Sequence, residues 1–124
     1  MTKKVFISFD FDNDKGIKNF VMGQAKLPTS PFWGADWSMK EAAPQSKWED
    51  EAERRIKKCD IVLVMVGEQT HKASGVLKEV ELARQYKKLI AQIIAYPDII
   101  NPTPVDSAGR LYRWNWDNLK TLLN

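Results

Sequence analysis

The chain has 124 residues, of which 44% are apolar and 28% are charged, a size and composition typical of one folded domain and not of a disordered segment. Its 19 basic and 16 acidic residues give a net charge of +3 with the signs interspersed, which argues against a dedicated nucleic-acid binder with a concentrated basic stripe. A single cysteine and a single histidine exclude an intrachain disulfide framework and a metal site built from Cys and His.

The N-terminus enters a strand-like run directly and carries no signal-peptide pattern. No window of the sequence reaches the roughly 18 apolar residues that a membrane span requires. We therefore expect a cytoplasmic protein without a membrane segment. No repeat or linker interrupts the sequence, so residues 1–124 are predicted to form one domain.

Three short apolar runs predict β-strands at residues 4–9, Ile61–Val66 and Leu89–Ile94. The second run is apolar on both of its faces, as expected for a strand in a parallel sheet that helices cover on both sides. Weaker strand patterns occur at residues 30–33 and 111–114.

Helical spacing of apolar residues predicts helices at residues 14–26, 46–58 and 72–88, and Asn115 as an N-cap predicts a last short helix at 116–123. Strands that alternate with helices predict a doubly wound α/β domain, with four to five parallel strands and helices on both faces. Residues 34–45 and 96–109 are predicted to be the least regular segments, the latter because of its prolines.

The carboxyl ends of parallel strands form the edge where such folds bind ligands. Residues 9–14, 67–74 and the loops that start at Gly34 and Tyr96 are predicted to lie there. The helix at 72–88 starts from this edge, and Glu79 lies at the border of its apolar face. Its helical neighbours three and four residues away include no cation. Glu79 therefore either faces a pocket or pairs with a cation from another segment.

The acidic segment after the first strand is open to several interpretations. Asp10, Asp12 and Asp14 match the first ligands of a calcium loop, but Lys15 and Val21 occupy the positions of the required glycine and glutamate. An aspartate-nucleophile phosphatase normally needs a larger chain. A response-regulator receiver needs an aspartate at the end of the middle strand, where this chain has valine and glycine. The remaining interpretation is a cap of the first helix.

Four blocks of the sequence resemble a known family. They are KKVFISFDFDNDKGIKN from Lys3, the Trp-Ser pair at Trp37 followed by Trp48, IKKCDIVLVMVGEQTHKASGVLKEVELA from Ile56, and RWNWDNLKTLL from Arg113. Their order and spacing are similar to those of the TIR-like domains of bacterial Thoeris anti-phage systems, the sensor subunits that act on NAD. The resemblance implies a single three-layer flavodoxin-like domain.

TIR domains place their catalytic glutamate in a pattern of serine, tryptophan, cysteine, two further residues and glutamate. This chain keeps the serine as Ser74 and the glutamate as Glu79, and it has Gly75 and Val76 in place of tryptophan and cysteine. The resemblance implies that Glu79 is the catalytic residue, with NAD as the substrate and no additional cofactor or metal.

The implied reaction is cleavage of the nicotinamide–ribose bond, which needs only one carboxylate because nicotinamide leaves as a neutral group. The implied product is an ADP-ribose-derived, often cyclic, nucleotide that activates a partner effector protein after a phage component triggers the sensor. TIR domains also assemble as homo-oligomers. The residues expected to contact NAD are Phe6, Ser8, Phe9 and Asp10 at the end of the first strand, Thr70 and Ser74 near the phosphates or ribose, and Trp33 and Trp37 as stacking surfaces.

Two other hypotheses remain open on the sequence. The chain is a non-enzymatic TIR-like signalling adaptor that acts by assembly, or it is a nucleotide- or phosphate-binding α/β domain that does not cleave NAD. An adaptor tolerates Glu79→Gln, and a binding domain holds its ligand without releasing nicotinamide.

Overall fold

The computed structural model describes residues 4–10, 36–37, 45–94, 103–113 and 116–123. Within them lie five strands, namely β1 (Val5–Ser8), β2 (Asp36–Trp37), β3 (Ile61–Val66), β4 (Leu89–Ile94) and β5 (Leu111–Arg113). The same described residues form three α-helices, namely α1 (Gln45–Lys58), α2 (Ser74–Gln85) and α3 (Trp116–Leu123), and a 3-10 turn (Thr70–Lys72) precedes α2.

The strands form one parallel sheet in the order β2-β1-β3-β4-β5. The chain therefore moves outward from β1 to β2, returns past β1 to β3, and continues to the opposite edge. This is the strand order of flavodoxin-like folds, and it places the topological switch point between β1 and β3. The predicted α/β class and its parallel sheet are confirmed.

The central strands β1 and β3 are buried on both faces, as their apolar runs predict. On one face, Phe6 and the valines of β3 join a core cluster with residues of α1 and α2, namely Trp48, Ala52, Ile56, Val76, Val80 and Ala83. On the other face, Val5, Ile7, Leu63, Met65 and Ile93 are also closed to solvent. Side chains alternate between the faces of a strand, so the even-numbered residues of β1 and β3 lie on the first face and the odd-numbered residues lie on the second.

Several boundaries differ from the sequence expectations. Residues 34–45 were expected to be irregular, which is wrong for β2 and for the first residue of α1. The helix predicted at 72–88 is shorter, because residues 70–72 form a 3-10 turn and α2 ends at Gln85. The helix predicted at 14–26 and the strand predicted at 30–33 lie outside the described residues.

Residues 103–110, the described part of the connection between β4 and β5, are held against β4 by the buried side chain of Gln92. Gln92 of β4 is 1% exposed, and its Nε2 donates to the carbonyl oxygens of Val105 at 3.1 Å and Gly109 at 2.9 Å. Its Oε1 accepts from the N–H of Val105 at 2.7 Å. Residues 103–110 contain turns and no helix, as the prolines of this segment predict.

Gly109 closes this connection in a conformation that other residues rarely adopt. Its φ of +85° lies in the left-handed region, and a Cβ at this position would overlap the carbonyl oxygen of Ile90 in β4. The backbone of the connection therefore lies directly against β4. Only glycine permits both the φ value and the close approach.

The carboxyl-terminal parts of α1 and α2 are joined by a half-buried polar contact. The Tyr86 hydroxyl donates to Glu53 Oε1 at 2.8 Å, and Lys57 Nζ lies 3.6 Å from the same carboxylate oxygen. The hydrogen bond from Tyr86 lowers the pKa of Glu53 below its ordinary value, and the charge of Lys57 contributes to the same shift.

Candidate functional site

The candidate site lies where β1, β3 and α2 meet at the switch point of the sheet. β1 ends at Ser8 and is followed by Phe9 and Asp10, which are buried with 2% and 4% of their surface exposed. β3 ends at Val66 and leads through a short turn into α2. These are the carboxyl ends of neighbouring parallel strands, the part of a doubly wound fold that binds ligands.

The connection from β3 to α2 is shaped by Thr70. Its buried hydroxyl oxygen accepts a hydrogen bond from the N–H of Gly67 at 2.7 Å, and the hydroxyl lies 3.4 Å from the carbonyl oxygen of Met65. Two backbone hydrogen bonds complete the turn. The N–H of Lys72 donates to the carbonyl oxygen of Gln69, and the N–H of Ala73 donates to that of Thr70, both at 3.0 Å. The turn therefore starts α2 at a fixed distance from the end of β3.

Glu79 lies on the face of α2 that packs on the sheet. The sequence places it at the edge of the apolar stripe, but its side chain has no solvent exposure, as for Val76 and Ala83 on the same face. The Ser8 hydroxyl donates a hydrogen bond of 2.7 Å to Glu79 Oε1, across 71 residues of sequence. The carboxylate of α2 thus meets the end of β1.

The strand alternation explains why Ser8 faces this helix. Phe6 points from β1 into the core cluster that contains Val76 and Val80 of α2. Side chains two residues apart share a face of a strand, so Ser8 points to the same side as Phe6. A register shift of one residue would move the hydroxyl to the opposite face.

A buried carboxylate is costly unless hydrogen bonds compensate the loss of water. The Ser8–Glu79 distance of 2.7 Å is that of a well-formed hydrogen bond from a hydroxyl donor and fits a carboxylate acceptor. Such a pair in a ligand-binding region is a functional-site candidate, because packing alone favours an apolar residue at a fully buried helical position.

The remaining sequence-predicted residues are arranged around this pair in different ways. Phe6 packs in the hydrophobic core, and Thr70 is buried in the turn. Ser74 is exposed at the first position of α2. Trp33 lies outside the described residues; Trp37 belongs to β2 and pairs with Ile7, and its side chain is not among those described. Contact of these residues with NAD stays a prediction.

Sequence reasoning did not anticipate two polar features. It grouped Ser8 with Phe6, Phe9 and Asp10 as a contact for NAD, whereas the structure pairs its hydroxyl with Glu79. The helical pattern predicts on which side of α2 Glu79 lies, but it does not predict which strand packs against that side. The turn also contains His71, whose Nδ1 is buried and makes no hydrogen bond within the part of the chain that the structure describes.

The described residues contain neither a metal-binding cluster nor a membrane-spanning helix. Across residues 4–10, 36–37, 45–94, 103–113 and 116–123, no group of three or more His, Cys, Asp and Glu side chains is placed to hold a metal ion. The helices within these ranges are too short or too polar to cross a bilayer.

The strand order and the buried Ser8–Glu79 pair at the switch point define a flavodoxin-like α/β domain with one candidate carboxylate site. Residues 6–98 match the model of the family described as Thoeris protein ThsB, TIR-like domain. The match covers more than half of the 124 residues, and the chain belongs to this family. It is a TIR-like domain of Thoeris anti-phage defence, as the sequence blocks predict. No curated protein matches the chain significantly.

Proposed function

We propose that this TIR-like domain cleaves the nicotinamide–ribose bond of NAD, with Glu79 as the catalytic residue, and releases an ADP-ribose-derived cyclic nucleotide. The observation that carries the proposal is the fully buried Glu79 carboxylate, hydrogen-bonded to Ser8 where β1 and β3 end. Nucleotides bind at this position in doubly wound folds. Membership of the Thoeris family supplies the anti-phage context.

A single carboxylate is sufficient for the first step of this reaction. The nicotinamide ring of NAD is cationic, so the electron pair of the broken C1′–N bond neutralises the ring and no proton has to be supplied. A glycosidase differs because its leaving oxygen requires a general acid. Glu79 would stabilise the oxocarbenium-like ribose by its negative charge, and this interaction is stronger away from water.

The burial of the site favours a cyclic product over hydrolysis. When water attacks C1′, its oxygen forms the new bond, one proton leaves to solvent, and ADP-ribose results. When a nucleophilic atom of the same molecule attacks C1′, the product is cyclic. Ser8 and Glu79 have no solvent exposure in the closed domain, and a site that closes again over bound NAD excludes water and disfavours the competing hydrolysis.

The start of α2 supplies a place for the phosphates of the same substrate. Ser74 begins the helix, and Ala73 before it makes no side-chain capping hydrogen bond. Helix N-termini attract phosphate groups through their N–H groups and dipole. Five residues separate Ser74 from Glu79, which corresponds to about 7.5 Å along the helix axis. This length accommodates the ribose between the reacting bond and its phosphate.

The same burial makes access to the site a controlled step. NAD reaches the Glu79 carboxylate only after the groups that close it to solvent move apart. A sensor that waits for a phage component benefits from such a closed resting state, because NAD is not consumed in uninfected cells. In this scheme, the trigger opens the site and the nucleotide product activates the effector protein of the defence system.

The proposal is tested by measuring nicotinamide release from NAD by chromatography with mass detection. The wild type, Glu79→Gln and Glu81→Gln are compared at equal concentration, alone and in lysate of phage-infected cells. Glu81 is the matched control because it is exposed on the same helix, with Lys78 Nζ at 3.8 Å. We expect release by wild type and Glu81→Gln, and release slower by about 100- to 1,000-fold for Glu79→Gln.

The mass of the second product then separates a cyclase from a hydrolase. Equal release by all three proteins would contradict a catalytic role for Glu79. If none of them releases nicotinamide in either setting, the non-enzymatic adaptor that acts by assembly becomes the better explanation.

A further inference from the structure

We propose that Ser8 is a positioning residue, whose hydroxyl holds the Glu79 carboxylate in its working orientation and does not itself contact NAD. This inference rests on the proposed function and refines it. It also gives Ser8 a role that differs from the direct NAD contact expected from the sequence. The argument uses the hydrogen bond, the strand that carries it and the burial of both partners.

The Ser8 hydroxyl can donate only one hydrogen bond, and it donates this bond to Glu79 Oε1, with 2.7 Å between the two oxygens. While this hydrogen bond persists, the hydroxyl cannot donate to a ribose hydroxyl or a phosphate oxygen. A nucleophilic Ser8 would require Glu79 to take this proton, whereas the proposed reaction uses the negative charge of Glu79 to stabilise the ribose. The remaining role for Ser8 is to fix its acceptor.

Ser8 is well placed for this role because its strand cannot easily move. Ser8 pairs with Val64 of β3, and the two residues before it in β1 also pair with β2, so the backbone that carries Ser8 is held by the sheet. Glu79, in contrast, reaches the site through a side chain with several rotatable bonds. A site on a rigid strand that orients a flexible functional group is the arrangement that precise catalysis requires.

Burial strengthens the same conclusion. Both side chains have no solvent exposure, so water does not compete for the hydrogen bond or replace it readily when Ser8 is changed. Removing the hydroxyl therefore takes away the hydrogen bond that orients Glu79 Oε1. A displacement of about 1 Å in a catalytic group lowers the rate by about 100-fold.

The test compares the steady-state kinetics of NAD cleavage for wild type, Ser8→Ala, Ser8→Thr and Ile56→Val under the condition in which the wild type is active. We expect Ser8→Ala to lower kcat by about 10- to 100-fold with KM unchanged. Ser8→Thr keeps a hydroxyl on the same strand and should recover most of kcat. Ile56→Val removes one methylene from the buried core of α1 and controls for lost stability without changing the site.

A second measurement follows the hydrogen bond without reference to activity. The free energies of unfolding of wild type, Ser8→Ala, Glu79→Leu and the double variant form a thermodynamic cycle, in which each single change removes the hydrogen bond. If the two side chains interact, the double variant loses less free energy of unfolding than the sum of the losses in the two single variants. Additive effects would contradict a contact between Ser8 and Glu79.

The kinetic outcomes separate the two proposals. A raised KM with unchanged kcat in Ser8→Ala indicates direct contact with NAD and overturns the positioning role, as does unchanged activity. Equal losses in Ser8→Ala, Ser8→Thr and Ile56→Val indicate a structural effect and overturn it too. If wild type cleaves NAD and Glu79→Gln does not, these results concern Ser8 alone. Absence of cleavage by the folded wild type, even in infected-cell lysate, overturns both proposals.

Discussion

The buried polar side chains of Gln92 and Glu79 lie on the same side of the sheet, and they have different kinds of hydrogen-bond partner. Gln92 in β4 is hydrogen-bonded to backbone groups of Val105 and Gly109 in the connection to β5. Glu79 in α2 accepts a hydrogen bond from a side chain, Ser8, at the end of β1. Ser8 and Gln92 lie in the same row of the sheet, joined through Val64 of β3.

The difference indicates which of the two serves the fold and which serves the site. A neutral amide that pairs with backbone groups satisfies donors and acceptors that a loop would otherwise bury without partners. A carboxylate placed beside a hydroxyl at the switch point brings a charge into a region where ligands bind. We therefore expect changes at Gln92 to reduce stability and changes at Glu79 to reduce activity.

Gln92→Leu should give the largest loss of stability. The leucine keeps a similar volume, but it leaves the N–H and C=O of Val105 and the C=O of Gly109 without the amide that binds them. The two Val105 groups are buried, whereas Gly109 is exposed, and each buried group without a partner costs about 1–3 kcal/mol, so we expect the free energy of unfolding to fall by about 4 kcal/mol. Urea denaturation measures this loss.

Leu89→Gln is the control for that variant, since Leu89 lies in the same strand and is 58% exposed. Its effect should stay within about 0.5 kcal/mol. Nicotinamide release by Gln92→Leu, measured below its melting temperature, should remain close to wild type. A well-folded Gln92→Leu that loses NAD cleavage would break the proposed division between stability and activity.

Gly109→Ala tests the same connection through its backbone. Alanine must either adopt the unfavourable φ of +85° or move away from the Ile90 carbonyl. Strain of this kind costs about 2–3 kcal/mol, and we expect a corresponding fall in the free energy of unfolding. Asp106→Ala, at an exposed position of the same segment, serves as control. A stability unchanged by Gly109→Ala would show that the connection relaxes freely.

Glu79→Gln should have a much smaller effect on stability, and in the opposite direction. Its amide oxygen can still accept the hydrogen bond from the Ser8 hydroxyl, while the cost of burying a charge disappears. We expect the free energy of unfolding to rise by less than about 1 kcal/mol, as is common when a functional site is neutralised. Thermal and urea unfolding provide the measurement. A large loss of stability would identify Glu79 as structural and would weaken the comparison with Gln92.

Tyr86→Phe is expected to give the smallest effect, because water can replace this half-buried contact. The hydrogen bond from Tyr86 lowers the pKa of Glu53 from its ordinary value of 4.5. A carboxyl group with a lowered pKa stabilises the fold above its ordinary pKa and loses that contribution as pH falls through the lowered value. The variant should therefore melt slightly below wild type at pH 7 and equally at low pH. A difference that persists in acid would point to lost packing.

Much of the fold was predictable because it depends on local patterns. β3 was predicted at its observed bounds since a strand buried on both faces is a continuous apolar run. The helix at Trp116–Leu123 was likewise predicted at its observed bounds, from Asn115 as its cap. β2 was missed because its two residues form a strand only through pairing with β1, and such a distant partner leaves no local signal.

The site was predictable only in part, for a similar reason. Helical spacing located Glu79 beside the apolar face, and the resemblance to TIR domains singled it out. Its complete burial and its hydrogen bond with Ser8 depend on two elements that are 71 residues apart in sequence. Gln92 did leave a signal, as a polar residue inside the apolar run LIAQII. That interruption indicates a buried polar contact but not the residues that provide it.

The pairing of Gln92 with Gly109 has a consequence for natural sequence variation. The family match ends at residue 98, so Gln92 lies within the matched region and Gly109 beyond it. Since the two residues form one contact across 17 positions, a homologue that replaces one gains little from keeping the other. We expect them to covary, so that a glutamine in the fourth strand followed 17 residues later by glycine marks homologues that share this route into the last strand.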